Sequence, residues 1–444
     1  MSNGSKLKNV LIAGMGALLC VVALALVMSG QVHAQQDGTT GGANDAVIVV
    51  QLGDHQALVR AITFTTPLSG VTALQASGLD VVVADTSFGP AVCAVEGVGC
   101  PADDCFCGGD LFWNYNYWDG SAWQSYPVGA GSSVISQADA LEGWRWGPFG
   151  SGMLDATQAT AALAGLEWLR SQQSPVDGGY GSMGGTAETM MAIGANGIAG
   201  DIWQVNGGKQ PLSTYSRIQQ AKFARDGAAF SGKLAVAIAA ADGCWGRRTV
   251  QPSHFYSETL GAYSPDSGSN AWGILGTLAM SETAPAEAIE TLRASITISG
   301  GWEWQAGWGP DSNTTAIAVQ ALIAAGEPIS ANAVISGLAF LKSTQQADGG
   351  FAYDAPAQYG SDANSTAYAV QALAAAGENL QSDRWSVGGA NPISYLLGLQ
   401  AEDGGFAWQA GTDANLLATQ QAIPALLGRP YPIAMKAVEK CRVR

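Results

Sequence analysis

A sixteen-residue stretch that returns twice at a fixed interval constrains this chain more than any other feature. Asp311 to Gly326 reads DSNTTAIAVQALIAAG, Asp362 to Gly377 reads DANSTAYAVQALAAAG, and Asp413 to Gly428 reads DANLLATQQAIPALLG, so the leading aspartates stand 51 residues apart. Each copy opens on Asp-x-Asn, whose short side chains can accept from the unpaired N–H groups of a first helical turn. Each then runs through alanines and large aliphatics at helical spacing and stops at glycine. Three capped helices are expected. Polar residues such as Gln320 and Gln371 are rare along them, so they should be buried on all sides and need a surrounding layer.

The segments between the copies supply that layer. Ile335 to Gln346 and Ile393 to Gln400 carry one polar face and end in Asp348-Gly349-Gly350-Phe351 and Asp403-Gly404-Gly405-Phe406; Ala161 to Gln173 followed by Asp177-Gly178-Gly179-Tyr180 does the same. A fixed period of this kind signals a repeat array of helical hairpins. From Ser151 the chain divides into twelve helical segments, beginning near Asp155, Gly185, Ser213, Ala228, Phe255, Ser269, Pro285, Asp311, Ser330, Asp362, Asn391 and Asp413. The weakest register lies between Ser213 and Ser264, where Asp242-Gly243-Cys244-Trp245 looks like a repeat turn but follows an inner helix.

The first 34 residues carry Lys6 and Lys8, an apolar run from Val10 to Met28, and Val32-His33-Ala34, a secretory signal cut before Gln35. The alternative is an uncleaved anchor, which would associate the chain with a membrane. Either reading places the body outside the cytoplasm, secreted or at the cell surface. Without the signal, 18 basic residues face 36 acidic ones, a net −18 that argues against nucleic acid as a partner. Six cysteines remain. Cys93, Cys100, Cys105 and Cys107 lie close together and suit two local disulfides, with a zinc knuckle as the alternative; Cys244 and Cys441 are isolated.

Gln35 to Ala46 is a linker by composition, and ordered structure is expected from Val47. Up to about residue 150, β-branched runs at Val47 and Val81, a short helix after Ser69 and a hairpin from Phe112 to Tyr126 turning at Asp119-Gly120 make a small α+β domain. Phe112-Trp113-Asn114-Tyr115, the Asp119-Gly120 turn, Trp123 and Gly143-Trp144-Arg145-Trp146-Gly147 resemble the transcobalamin C-terminal-like domain. That resemblance implies a β-grasp-like lid over a bound cobalamin. The hairpins of 151–430 are similar to the α/α toroid shared by terpenoid cyclases, protein prenyltransferase β subunits and cobalamin carriers. Their Gln-rich ends with Asp-Gly-Gly-Phe resemble the glutamine-tryptophan turn of squalene and hopene cyclases. The expected fold is therefore multidomain: the α+β domain, then an all-α (α/α)₆ toroid, then a tail from residue 431.

Chemistry has few places to reside. The cyclase resemblance calls for an Asp-x-Asp-Asp acid, and the only Asp-Asp doublet is Asp103-Asp104, in the cysteine-rich insert. The prenyltransferase resemblance calls for zinc; Asp242, Cys244 and His254 have the right types but read more simply as a turn and a loop, so no metal is expected. Only His55 and His254 follow the signal. His254 lies in a polar loop and is either a solvated residue or, as the carrier resemblance implies, a ligand to cobalt. Trp302, Trp304 and Trp308 precede an inner helix, where they either pack turn against turn or floor a ligand site, and Asp311, Asp362 and Asp413 read as helix caps.

Both carrier-like domains in one chain lead to the expectation of an exported monomer that binds cobalamin or another corrinoid between them. Trp302, Trp304 and Trp308 would form the floor and Trp113, Tyr115, Trp144 and Trp146 the lid. The alternatives are a terpenoid cyclase or prenyltransferase-like enzyme, and a carbohydrate- or protein-binding surface module.

Overall fold

The computed structural model describes residues 44–441 except His55 and Phe88. The expected signal, residues 35–43 of the linker, and His55 lie outside the described residues. The first described element, β1 (Asn44–Gln51), starts three residues before Val47 and pairs antiparallel with β2 (Ala57–Phe64). Ser69 caps α1 (Gly70–Ala76), accepting from the Thr72 N–H. A side sheet follows, of β3 (Val81–Thr86), β4 (Gly89–Val95) and β5 (Val98–Gly99). The cysteine-rich insert is closed by disulfides Cys93–Cys105 and Cys100–Cys107.

β6 (Phe112–Trp118), β7 (Trp123–Ser125) and β8 (Ala140–Gly147) complete a main sheet in the order β2-β1-β8-β6-β7, with β1 and β8 parallel. The turn at Asp119-Gly120 forms because Asp119 accepts from the Ser121 and Ala122 N–H groups while Gly120 takes a φ of 98°. Strand alternation gives the sheet two faces. Ile48, Val50, Trp113 and Trp144 enclose α1, whereas Val47, Val49, Val59, Trp123 and Leu141 turn toward the helical half.

That half contains α2 (Ala156–Ser171), α3 (Met183–Ala195), α4 (Leu212–Phe223), α5 (Ala228–Ala241), β9 (Cys244–Gly246), α6 (Ser267–Ala279), α7 (Ala286–Ala294), the short pair β10 (Trp302–Glu303) and β11 (Pro310–Asp311), α8 (Ser312–Ala324), α9 (Asn332–Thr344), α10 (Ala363–Ala375), α11 (Pro392–Gly398), α12 (Leu416–Leu426) and β12 (Glu439–Cys441). α3, α5, α6, α8, α10 and α12 form a closed inner ring, each touching the next and α12 returning to α3. The remaining helices lie outside them. The helix expected from Phe255 is absent: Pro252–Phe255 is one 3₁₀ turn, leaving eleven toroid α-helices among the described residues. The segment from Phe255, FYSETLGAYS, is instead folded into a turn in which Gly261 takes a φ of 58° and Ser257 pairs with Ala262. The outer wall is therefore thin beside α5.

The repeat turns follow one plan. In each Asp-Gly-Gly, the aspartate accepts from the second glycine's N–H, from Asp177 to Gly179, Asp348 to Gly350 and Asp403 to Gly405, at 3.0–3.1 Å. The first glycine takes a φ of 78°, 86° and 90° in turn. The aromatic that follows is buried, and its N–H donates to the fourth residue of the next inner helix: Tyr180 to Thr186, Phe351 to Thr366 and Phe406 to Thr419. Tyr263 to Asn270 and Trp302 to Thr315 repeat the bond. α5 and α6 approach most closely, because a Cβ on Gly232 would lie 2.0 Å from the Trp272 carbonyl oxygen.

Asp311 and Asp362 cap α8 and α10, but the third copy slips by two residues and Asn415, not Asp413, caps α12. After α12 the chain turns inward. Gln371 Nε2 holds the Arg429 carbonyl and Gln320 Oε1 accepts from the Tyr431 N–H, so the tail plugs the ring from one end. It then leaves past α5, where the Met435 and Lys436 N–H groups donate to the Ala239 carbonyl, and β12 pairs with β9 alongside a third disulfide, Cys244–Cys441. The two isolated cysteines of the sequence are thus partners across 197 residues.

A polar ring in the toroid lumen as candidate functional site

The sixth residue of each inner helix is Glu188, Lys233, Trp272, Ile317, Tyr368 or Gln421. Five of the six helices share the position-four bond, and the ion pair of Glu188 with Lys233 sets α5 at the same level, so these residues stand together. Contacts among five of them, all but Ile317, show that they face the axis. Glu188 and Lys233 form an ion pair, Lys233 Nζ lies 5.1 Å above the Trp272 ring, and Gln421 Nε2 reaches Glu188 Oε1 at 3.4 Å and the Tyr368 hydroxyl at 3.3 Å. Asn364, one turn nearer the start of α10, donates to Gln421 Oε1 at 2.7 Å. Tyr431 of the tail stacks obliquely on Trp272 at 5.6 Å and closes the ring from below.

The electrostatics are those of an enclosed site. Burial, with the Glu188 carboxylate beside it, pushes the Tyr368 hydroxyl well above its ordinary pKa; burial does the same to Tyr431. Glu188 Oε2 is buried without a hydrogen-bond partner among the described residues. A buried carboxylate oxygen in that state is an acceptor waiting for a donor. The Lys233 side chain keeps 23% exposure, so the ring is reached from the end where the inner helices start, where Leu417 is also exposed.

The residues singled out in the sequence lie elsewhere. Trp302 is fully buried, its indole N–H donating to the Leu292 carbonyl at 2.7 Å; Trp304 packs against Gly268; Trp308 is exposed. All three lie where α8 starts. The small domain docks at the opposite end: the Ala57 N–H donates to the Leu427 carbonyl after α12, and Asn196 after α3 bonds both ways with Val59. Floor and lid are thus separated by the length of α8, about 20 Å for thirteen residues. Trp113, Tyr115, Trp144 and Trp146 also belong to the sheet face that encloses α1, away from the toroid. Tyr115 stacks on Trp144 and Tyr126 and donates to Glu142 at 2.6 Å. His254 is exposed in the loop of the missing outer helix. Asp242 and Cys244, weighed beside it as metal ligands, are occupied by Arg217 and Cys441.

Residues 268–429 match the family model of the prenyltransferase alpha-alpha toroid domain. No curated protein matches the chain. Among solved structures, the type II terpene cyclase MstE from Scytonema shares 13% identity over 62% of this chain and 98% of that one, with a TM-score of 0.41. A form of it in complex with geranylgeranyl dihydroxybenzoate gives 14%, 63%, 98% and 0.41. The ent-copalyl diphosphate synthase from Streptomyces platensis gives 16%, with 55% of this chain, 49% of that one and a TM-score of 0.34. At these identities and scores the overlaps carry no argument about substrate.

The corrinoid expectation is corrected. Residues 268–429 match the prenyltransferase type of toroid, and the aromatic floor and lid do not meet. The chain has a β-rich N-terminal region followed by a helical alpha-alpha toroid, of which residues 268–429 match the prenyltransferase toroid domain.

Proposed function

We propose that the toroid is an enzyme lumen of the terpenoid cyclase and prenyltransferase kind, taking an isoprenoid chain through the end where the inner helices start. The observation that carries this reading is the unpartnered Glu188 Oε2, beside Tyr368 and on the ring level that Trp272 and Ile317 share. Apolar and aromatic walls suit a hydrocarbon chain, and aromatic faces beside a carboxylate stabilise a positive charge developing on it. Glu188, already paired with Lys233, is placed to accept a proton, while Lys233 and Gln421 offer donors to a polar head. Asp311 and Asp362 cap helices with both carboxylate oxygens and take no part.

We read the small domain as β-grasp-like, and as similar to the transcobalamin C-terminal-like domain in fold alone. With the β3-β4-β5 insert set aside, its strands run in the order 2-1-5-3-4 with the first and last parallel, which supports that reading. Its role is to close the toroid end where the tail also sits. The disulfides support a place outside the cytoplasm.

The test is intact protein with squalene and with geranylgeranyl diphosphate, followed by tryptophan fluorescence and product mass spectrometry. Saturable binding that weakens about tenfold in Glu188→Gln and Tyr368→Phe supports the lumen. Failure of both compounds to bind or turn over overturns it. A second reading rests on Trp308, Tyr353, Tyr359 and Trp408, exposed at the end where the inner helices start and suited to stacking on sugar rings. Binding of a glucan oligosaccharide lost in Trp408→Ala, with the lumen variants unchanged, would favour it.

A further inference from the structure

The missing outer helix leaves a cleft of about 710 Å³ between the loop of residues 245–254 and β12. Three cationic or protonatable side chains converge on it, Arg247, His254 and Lys440, and no carboxylate lines it. This runs against the composition, in which 36 acidic residues outnumber 20 basic ones. All three are exposed, and none is ion-paired with a carboxylate among the described residues. Glu439 and Cys441 flank Lys440 in β12, and strand alternation turns them to the other side.

The cleft is held rigidly by its own bonds. Gln220 of α4 accepts from the Gly246 N–H at 2.9 Å and from the Thr249 hydroxyl at 3.2 Å; Trp245 Nε1 donates to the Thr249 carbonyl, and the Ser231 hydroxyl to the Val250 carbonyl. β12 adds Lys440 opposite Trp245 in a parallel ladder, and the Cys244–Cys441 disulfide fixes that ladder. Lys440 is thus held at the cleft by the β9 ladder and by a cross-link between residues 197 positions apart. None of the lining residues belongs to the lumen ring.

We propose that this cleft binds a small polyanion carrying two or more phosphate or sulfate groups. A guanidinium, an ammonium and an imidazole, with the Ser253 hydroxyl between them, match several anionic oxygens, and the volume exceeds that of one phosphate. Rigid placement of the cations lowers the ordering cost of binding.

The experiment is calorimetry of the intact oxidised protein with inorganic tripolyphosphate and with a sulfated disaccharide at matched ionic strength. Binding of one or both, weakened about tenfold by Arg247→Gln and again by Lys440→Gln, is expected, and affinity should fall as salt rises. Tighter binding of tripolyphosphate assigns a phosphate ligand, and tighter binding of the disaccharide a sulfated one. Lys209→Gln, on an exposed loop elsewhere, removes the same charge and should leave affinity unchanged. Equal loss in that variant, or no binding of either probe, overturns the proposal. Cys441→Ser supplies a second check, because freeing β12 should weaken binding as much as Lys440→Gln does.

Discussion

Glu188 and Lys233 occupy the same level of adjacent inner helices and pair across the lumen wall, one carboxylate oxygen going to the lysine and the other left without a partner. Such a pair contributes little net stability, because two desolvated charges offset their own attraction. Removing one member strands the other. Lys233→Met should therefore cost about 3 kcal/mol in chemical denaturation, and Glu188→Gln in the same chain should restore most of it. Equal destabilisation in the single and double variants would show that Lys233 matters through its contact with Trp272 instead.

The toroid was legible because its repeat is written in identical residue types. Asp-Gly-Gly-aromatic and the capping Asp311 and Asp362 are local chemistry, and local chemistry survives in sequence. The lumen ring was not legible for the opposite reason. Glu, Lys, Trp, Ile, Tyr and Gln share no type, and only their common level makes them a set. A marker for that level was present: Thr186, Asn270, Thr315, Thr366 and Thr419 each accept from a turn N–H, and counting two residues onward from each reaches the ring. The 51-residue spacing obscured it, because the third helix is capped two residues late, at Asn415. The partnership of Cys244 with Cys441 depends on where the tail emerges from the ring, which no local pattern encodes.

The marker itself makes a prediction. Thr366 Oγ1 accepts from the buried Phe351 N–H at 2.9 Å. Thr366→Val keeps the shape and removes the acceptor, so it should destabilise by about 1–3 kcal/mol, whereas Thr366→Ser should cost less. Hydrogen exchange at the Phe351 amide should accelerate in the valine variant alone.

The tail gives a third expectation. Cys244–Cys441 closes the longest disulfide loop in the chain, and it anchors the segment that carries Tyr431 into the lumen. Cys244→Ser should lower stability by about 2–4 kcal/mol and expose the tail to proteolysis. In the unaltered protein, Cys93, Cys100, Cys105, Cys107, Cys244 and Cys441 should all resist alkylation until a reductant is added, read by intact mass.

The last prediction concerns acidity in the small domain. Glu142 is buried in the main sheet, where Tyr115 donates to one carboxylate oxygen at 2.6 Å and Tyr126 to the other at 2.9 Å. Burial outweighs both bonds and raises its pKa from 4.5 to about 7. A carboxyl with a raised folded-state pKa contributes stability fully below its unfolded value and loses it as pH rises through the folded value. Stability from this group should thus decline between about pH 4.5 and pH 7, by roughly 3 kcal/mol at most. Glu142→Gln keeps an acceptor for one tyrosine and can donate to the other, yet it does not titrate. The difference in unfolding free energy between the two proteins should therefore shift in favour of the glutamine variant on going from pH 5 to pH 8, which urea titrations at the two pH values would measure. A difference that stays constant would mean that Glu142 remains ionised in the fold, held by its two tyrosines.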